Sequence, residues 1–397
     1  MTSEGSSGAD TNERVPLLLI AREWTRLGFT GFGGPPTHII LLRRLCVDER
    51  GWLGPEEFED AVATTNLLPG PASTQLAIFC AWKLRGALGG LIGGLCFICP
   101  GLFLIIALSA VLLAKHPPAM VLGAAAAAGA AVPAVALNAA RGLVPASWRR
   151  VGSARAQRCR WLSYASVGAL CGALRGQYLV LAILGCGVAE IFLRARGQPG
   201  SPRSSRAVAL GVVHATATGG SAALAWVAIK VGALSYGGGF VIVPLMQHDA
   251  VATYHWMTSS QFLSAVALGQ VTPGPVVQTV AVVGYAAAGI GGALLAATLA
   301  FAPSFGFILA GAPRFDAIRA NTSVGSFLAG AGPAVVGAIA GSSIPLGLAL
   351  GHAWQIPVLA GAALWLLVAR RGVVSCLLVA GVVGALVGLA GVSVVGS

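Results

Sequence analysis

Apolar positions in this chain do not alternate and do not keep a narrow helical stripe; they run on. Residues 86–114 contain no charged side chain, and neither do residues 250–313, where about 20 apolar residues are enough to cross a bilayer. Continuous Leu, Ala, Val and Gly runs predict membrane helices, since a β-barrel would show short alternating strands. Two kinds of interruption cut these runs. Phe32-Gly33-Gly34-Pro35-Pro36 and Leu68-Pro69-Gly70-Pro71 cannot continue an α-helix, because proline lacks the amide donor and glycine loses the most entropy on ordering. Both return later, as Tyr236-Gly237-Gly238-Gly239 and Thr272-Pro273-Gly274-Pro275.

The return is a duplication. At a displacement of 204 positions Phe32 matches Tyr236, Trp52 matches Trp256, Phe58 matches Phe262 and Pro69-Gly70-Pro71 matches Pro273-Gly274-Pro275. After a one-residue deletion Gly86 meets Gly289 and Pro100 meets Pro303. The reading divides the chain into a polar tail at 1–14, a first repeat at 15–193, an Arg/Pro/Ser-rich linker at 194–206 and a second repeat at 207–397.

Composition sharpens this picture. Of 397 residues 56% are hydrophobic and 10% charged, which excludes an ordinary globular protein. The net charge of +12 resides in arginines between apolar runs, so it marks cytoplasmic loops and not a nucleic-acid surface. Its distribution differs between the repeats. Arg43, Arg44, Arg50, Lys83 and Arg85 flank the first Pro-Gly-Pro, whereas residues 247–261 have no Lys or Arg; the next turn has Lys115 in the first repeat but Arg314 and Arg319 in the second. The positive-inside rule then inserts the halves upside down relative to each other. With basic residues on both flanks, the first Pro-Gly-Pro segment is expected to be a re-entrant hairpin. The expected fold is all-α and polytopic, with two inverted halves, interrupted helices and about ten spans.

A broken membrane helix leaves amides without carbonyl partners, and the amino-terminal end of the half-helix that follows favours an anion. Neutral polar residues gather at the breaks. The candidate binding set is Gly33, Gly34, Thr37, His38, Asn66, Gly70, Thr74 and Gln75 in the first half, with Ser235, Gly237, Gly238, Gln270, Thr272, Gly274 and Gln278 in the second. Lys230 precedes the second break and could attract an anion. Carboxylates, which a cation carrier needs at membrane depth, crowd into residues 48–60 and the tail, and the few elsewhere include Glu23, Glu190 and Asp249. Cys96 and Cys99 form a CxxC within an apolar run and read as packing residues. No cofactor, metal or catalytic constellation is expected, and no phosphate-binding loop appears.

The paired signatures resemble those of the chromate ion transporter family: Phe32-Gly33-Gly34-Pro35 with Leu68-Pro69-Gly70-Pro71 and Gln75-Leu76-Ala77-Ile78, then Ser235-Tyr236-Gly237-Gly238-Gly239 with Gly269 to Pro275. The resemblance covers both halves. It implies the long, two-domain form of that family, an inner-membrane protein exporting chromate and accepting sulfate-like dianions. A sulfate carrier or exchanger, an anion channel and a membrane scaffold are the alternative readings, and a homodimer is left open.

Overall fold

The computed structural model describes residues 15–66, 68–149, 151, 154–174, 178–196, 220–235, 242–312, 315 and 321–390. Among them the chain is helical throughout, without strands. The first half runs α1 (Leu17–Thr30), α2 (Pro35–Arg43), α3 (Pro55–Thr65), α4 (Ala72–Leu112), α5 (Ala119–Arg149), α6 (Arg155–Leu174) and α7 (Leu179–Arg196). The second runs α8 (Ser221–Leu234), α9 (Ile242–Gln247), α10 (Ser259–Val271), α11 (Thr279–Gly311), α12 (Thr322–Leu348), α13 (Gln355–Ala363) and α14 (Val373–Leu389).

Among the described residues each sequence break follows the end of a helix. Phe32 to Gly34 separate α1 from α2, and Pro69-Gly70-Pro71 separate α3 from α4. The polar stretch 43–60 is more ordered than a loop. Arg44–Glu49 extend α2 in a wider π-type turn, and α3 already starts at Pro55, with Glu56 and Glu57 in its first turn. Proline suits the first helical position because its missing amide would be unpaired there, and carboxylates in the first turn complement the helix dipole.

Two long helices are kinked at matching places. Arg85 and Gly86 in α4 leave helical geometry (φ −147° and 61°), as do Ala288 and Gly289 in α11 (φ −154° and 62°). The kink divides α4 into a first arm that follows Pro-Gly-Pro and a second arm that is long enough to span. At 1.5 Å per residue, α3 and the first arm of α4 each reach about 16 to 20 Å, short of the roughly 30 Å hydrocarbon core. That is the geometry of a hairpin that enters and turns back. Residues 72–112, 119–149, 276–311 and 322–348 are the four stretches, among the described residues, long and apolar enough to cross a membrane.

The halves are interlocked. The second arm of α4 packs against α11, while α5 packs against α13 and α14, and α12 packs against α6 and α7. Each half therefore lends its carboxy-terminal hairpin to the long helix of the other. Those long helices match too, with Pro133 and Pro145 in α5 and Pro333 and Pro345 in α12. Small residues carry the crossings. Gly168 and Gly172 lie on the carbonyls of Ala334 and Ala338, Gly337 and Gly341 on those of Ala165 and Ala169, and Gly123 faces Gly384. Lipid supplies no hydrophobic drive between helices, so close backbone approach and dispersion must hold them.

The acids that the sequence leaves near the membrane are neutralised. Buried Glu190 pairs with Arg160 (3.1 Å) and Arg194 (2.8 Å) and accepts from the Tyr164 hydroxyl (3.1 Å). Buried Glu23 pairs with Arg50 (2.8 Å) and Arg26 (3.4 Å). Trp24 ties α1 to the first arm of α4, donating from Nε1 to the Ala77 carbonyl at 2.8 Å and stacking on Trp52.

Candidate oxyanion site at the paired helix breaks

The breaks of the two halves meet. The Gly274 amide donates to the Gly31 carbonyl at 2.9 Å, across the interface between halves. The same carbonyl accepts from His38 Nε2 at 2.9 Å, and the His38 ring sets its edge against Phe97. Pro35 and Pro36 have no amide, so the donors at the start of α2 belong to Gly33, Gly34 and Thr37. Among the described residues no acceptor meets the amide of Gly33 or Gly34. The Thr37 hydroxyl lies beside Gly33, and Gly34 faces Val276 just past the second Pro-Gly-Pro.

The central glycines of both Pro-Gly-Pro turns hold a positive φ, 122° at Gly70 and 98° at Gly274. A side chain is strained in that region, and space is denied as well. A Cβ would lie 2.5 Å from Gln75 Nε2 at Gly70 and 2.9 Å from Gln278 Nε2 at Gly274. These glutamines brace the turns. Gln75 donates to the Pro69 carbonyl at 2.7 Å, whereas Gln278 reaches back into α4 and donates to the Ile98 carbonyl at 2.9 Å.

The long helices complete the arrangement crosswise. Gly101 of α4 rests on the Pro273 carbonyl and Gln278, and its counterpart in α11, Ser304, sits beside Gly70. A turn from each half is thus seated on a span of the other.

What remains at these turns is a set of buried polar atoms with no protein partner: His38 Nδ1, the hydroxyls of Thr74, Ser235 and Ser304, Gln270 Nε2, and the Oε1 atoms of Gln75 and Gln278. Native interiors pair the large majority of such atoms, whereas here seven of them gather in the segments around the breaks. A cavity of about 430 Å³ reaches one residue of this set, Gln270, and is lined by Gly33, Gly34, Pro35, Asn66 and Asn138 among others. Four of the expected residues, Gly33, Gly34, Asn66 and Gln270, share this one wall.

The remaining candidates have local roles. Asn66 donates from Nδ2 to the Val62 carbonyl (2.8 Å), and the Thr272 hydroxyl donates to that of Leu268 (3.1 Å). Lys230 forms an ion pair with Asp249, both side chains largely buried, so its charge is already met. Gly237 and Gly238 lie outside the described residues. Sequence reasoning passed over Gly31, Gly101, Asn138 and Ser304. Ser304 had a signal, a lone hydroxyl after the duplicated proline at 303; Gly31 and Gly101 act only through their backbones and had none.

Among the described residues no cluster of three or more His, Cys, Asp or Glu could hold a metal ion. The site is neutral and rich in hydroxyl and amide groups.

The chromate transporter family profile matches residues 18–191 and again residues 222–389. The chromate transport protein of Cupriavidus metallidurans is 30% identical over 357 residues, covering 87% of this chain and 86% of that protein. That of Pseudomonas aeruginosa is 32% identical over 357 residues, covering 85% and 83%. The probable chromate transport protein of Synechococcus elongatus is 29% identical over 343 residues, covering 83% and 84%. No solved structure matches the chain. With the profile repeating over both halves, and relatives matched along most of their length, this multi-pass membrane protein belongs to the chromate transporter family.

Proposed function

We propose that the protein exports chromate from the cytoplasm, binding the tetrahedral dianion between the two Pro-Gly-Pro turns and drawing its energy from the membrane potential. The observation that carries this reading is the set of unpartnered hydroxyl and amide donors at the turns, Thr74, Ser235, Ser304 and Gln270. A buried donor without a partner costs about 1 to 3 kcal/mol, a cost an oxyanion removes by accepting from it. The free acceptors, Gln75 Oε1, Gln278 Oε1 and His38 Nδ1, suit water retained by the ion. None of these groups bears a fixed charge, so binding is reversible and the dianion is not trapped as it would be by a lysine.

The direction follows from electrostatics. A dianion leaving a cell with a negative interior gains about 2.3 kcal/mol per charge per 100 mV, roughly 4 to 5 kcal/mol in all. That sustains a concentration ratio on the order of a thousandfold without chemical coupling, enough to confer resistance. The charge bias between repeats supports inverted halves that expose the turns to each face in alternation. Sulfate-like dianions share the geometry and are expected competitors.

The test is uptake of labelled chromate into inverted vesicles containing the purified protein, with and without an imposed inside-positive potential, competed by sulfate. Saturable uptake that rises with the potential supports the reading. Sulfate flux without chromate flux would discard the substrate, and no anion flux would end the transport reading.

A further inference from the structure

Hairpin exchange leaves two cavities, each between one half and the hairpin borrowed from the other, at opposite ends of the second helix: the first at its start, beside the break, and the second at its far end. The cavity at the breaks lies among the start of α2, the end of α5 at Asn138 and Gly142, and the start of α14 at Val373 and Val374. A second cavity, of about 420 Å³, lies among α9 and the turn after it (Gln247, His248), the end of α12 (Pro345, Leu348) and the end of α6 (Gly172, Leu174). Each is therefore walled by the second helix and the long proline-bearing helix of one half and closed by the hairpin borrowed from the other.

Their contents and surroundings differ. The first reaches residues of both halves' breaks, Gly33, Gly34, Asn66 and Gln270. The second, among the described residues, is lined by none of these, and it presents Gln247, His248 and Ser259. Arg141, Arg370 and Arg371 lie in the chain beside the first cavity's walls, and Arg141 reaches across to the Leu367 carbonyl at 2.7 Å. Around the second cavity residues 247–261 contain no Lys or Arg; the one basic residue adjoining its lining in the sequence is Arg175, next to Leu174 and outside the described residues. By the positive-inside rule the first cavity faces the cytoplasm and the second the opposite side.

We propose that the two cavities are the inner and outer vestibules of a single oxyanion route, that this structure holds the state with the inner vestibule joined to the breaks, and that Gln247, His248 and Ser259 receive the oxyanion as it leaves. The inference rests on the reading of the chain as an oxyanion carrier and adds where the ion goes. Two interlocked halves of the same fold can trade conformations, and that trade closes one cavity as it connects the other. An amide, an imidazole and a hydroxyl solvate an anion without holding it, as an exit requires.

Sidedness tests this without any transport. In the full chain with Cys159→Ser, Gly142→Cys and Ser259→Cys would be labelled with a membrane-impermeant maleimide in vesicles of either orientation. Gly142→Cys should react several-fold faster from the cytoplasmic face and Ser259→Cys from the other. Chromate on the cytoplasmic face, at mildly alkaline pH where it oxidises thiols slowly, should shift the two rates in opposite senses. Labelling of both from one face, or rates that move together, would overturn the proposal. Leu143→Cys and Leu348→Cys report on the same walls should either first variant fail to reach the membrane. A third arm is His248→Ala, which should lower kcat several-fold and leave the cytoplasmic-side KM unchanged; a rise in KM alone would remove His248 from the exit. Chromate flux in the same vesicles separates the two ideas. Opposite sidedness without chromate flux sinks the substrate and keeps the vestibules, whereas flux with both cysteines on one face sinks the vestibules alone.

Discussion

Gly31 and Gly274 are joined by a single backbone hydrogen bond of 2.9 Å, from the amide of the second half's Pro-Gly-Pro turn to the carbonyl that ends α1 in the first half. His38 donates to the same carbonyl. One peptide group thereby registers the two breaks against each other, so that a movement of either half is felt at both.

Replacing Gly274 with alanine should damage transport far more than membrane insertion. At φ 98° a Cβ costs about 1 to 2 kcal/mol, and here it would also press on Gln278 Nε2 at 2.9 Å. Each 1.4 kcal/mol is a factor of ten, so vesicle chromate flux per inserted protein should fall by about tenfold or more. The matched Gly70→Ala variant should behave alike; wild-type flux in both would show that the turns only pack.

Ser304→Ala separates a ligand from a scaffold. Its hydroxyl is buried without a partner, so deleting it leaves nothing behind unpaired and should leave the detergent-solubilised Tm unchanged or slightly raised. KM for chromate should rise several-fold. A lower Tm with an unchanged KM would make Ser304 a packing residue.

Gln270→Glu keeps shape and reverses the chemistry. Gln270 lines the cavity and its Nε2 is a buried donor without a partner; a carboxylate there offers only acceptors and repels a dianion. Flux should drop by at least tenfold, with recovery as pH falls and the carboxyl takes up its proton. Flux equal to wild type at neutral pH would move the ion's path away from this wall.

Lys230 and Asp249 form a largely buried pair. Removing one partner strands the other's charge, at a cost of about 3 to 5 kcal/mol, whereas removing both is far milder. Lys230→Met should therefore lower the Tm sharply, and Lys230→Met with Asp249→Asn should restore it. If the double variant regains stability but not transport, Lys230 touches the anion as well as its partner.

The sequence by itself determined the membrane class, the duplication, the position of the three breaks that lie within the described residues and the family, because proline and glycine inside apolar runs act on their own residues and need no partner to be read. It also named most of the polar residues at the turns. Within the polar stretch 43–60, Pro55 and two glutamates start a helix that hydropathy alone hides. Only the tertiary structure decided that each half seats its turn on the other's span, through Gly101 and Ser304, and that the hairpins are exchanged between α5 and α12. It also decided that Lys230 is spent on Asp249. These are contacts between residues far apart in the chain, made by bare backbone or by small side chains with no pattern of their own. Hydropathy records which segments leave water; it does not record which of them approach each other within the bilayer, where close packing alone selects the partner.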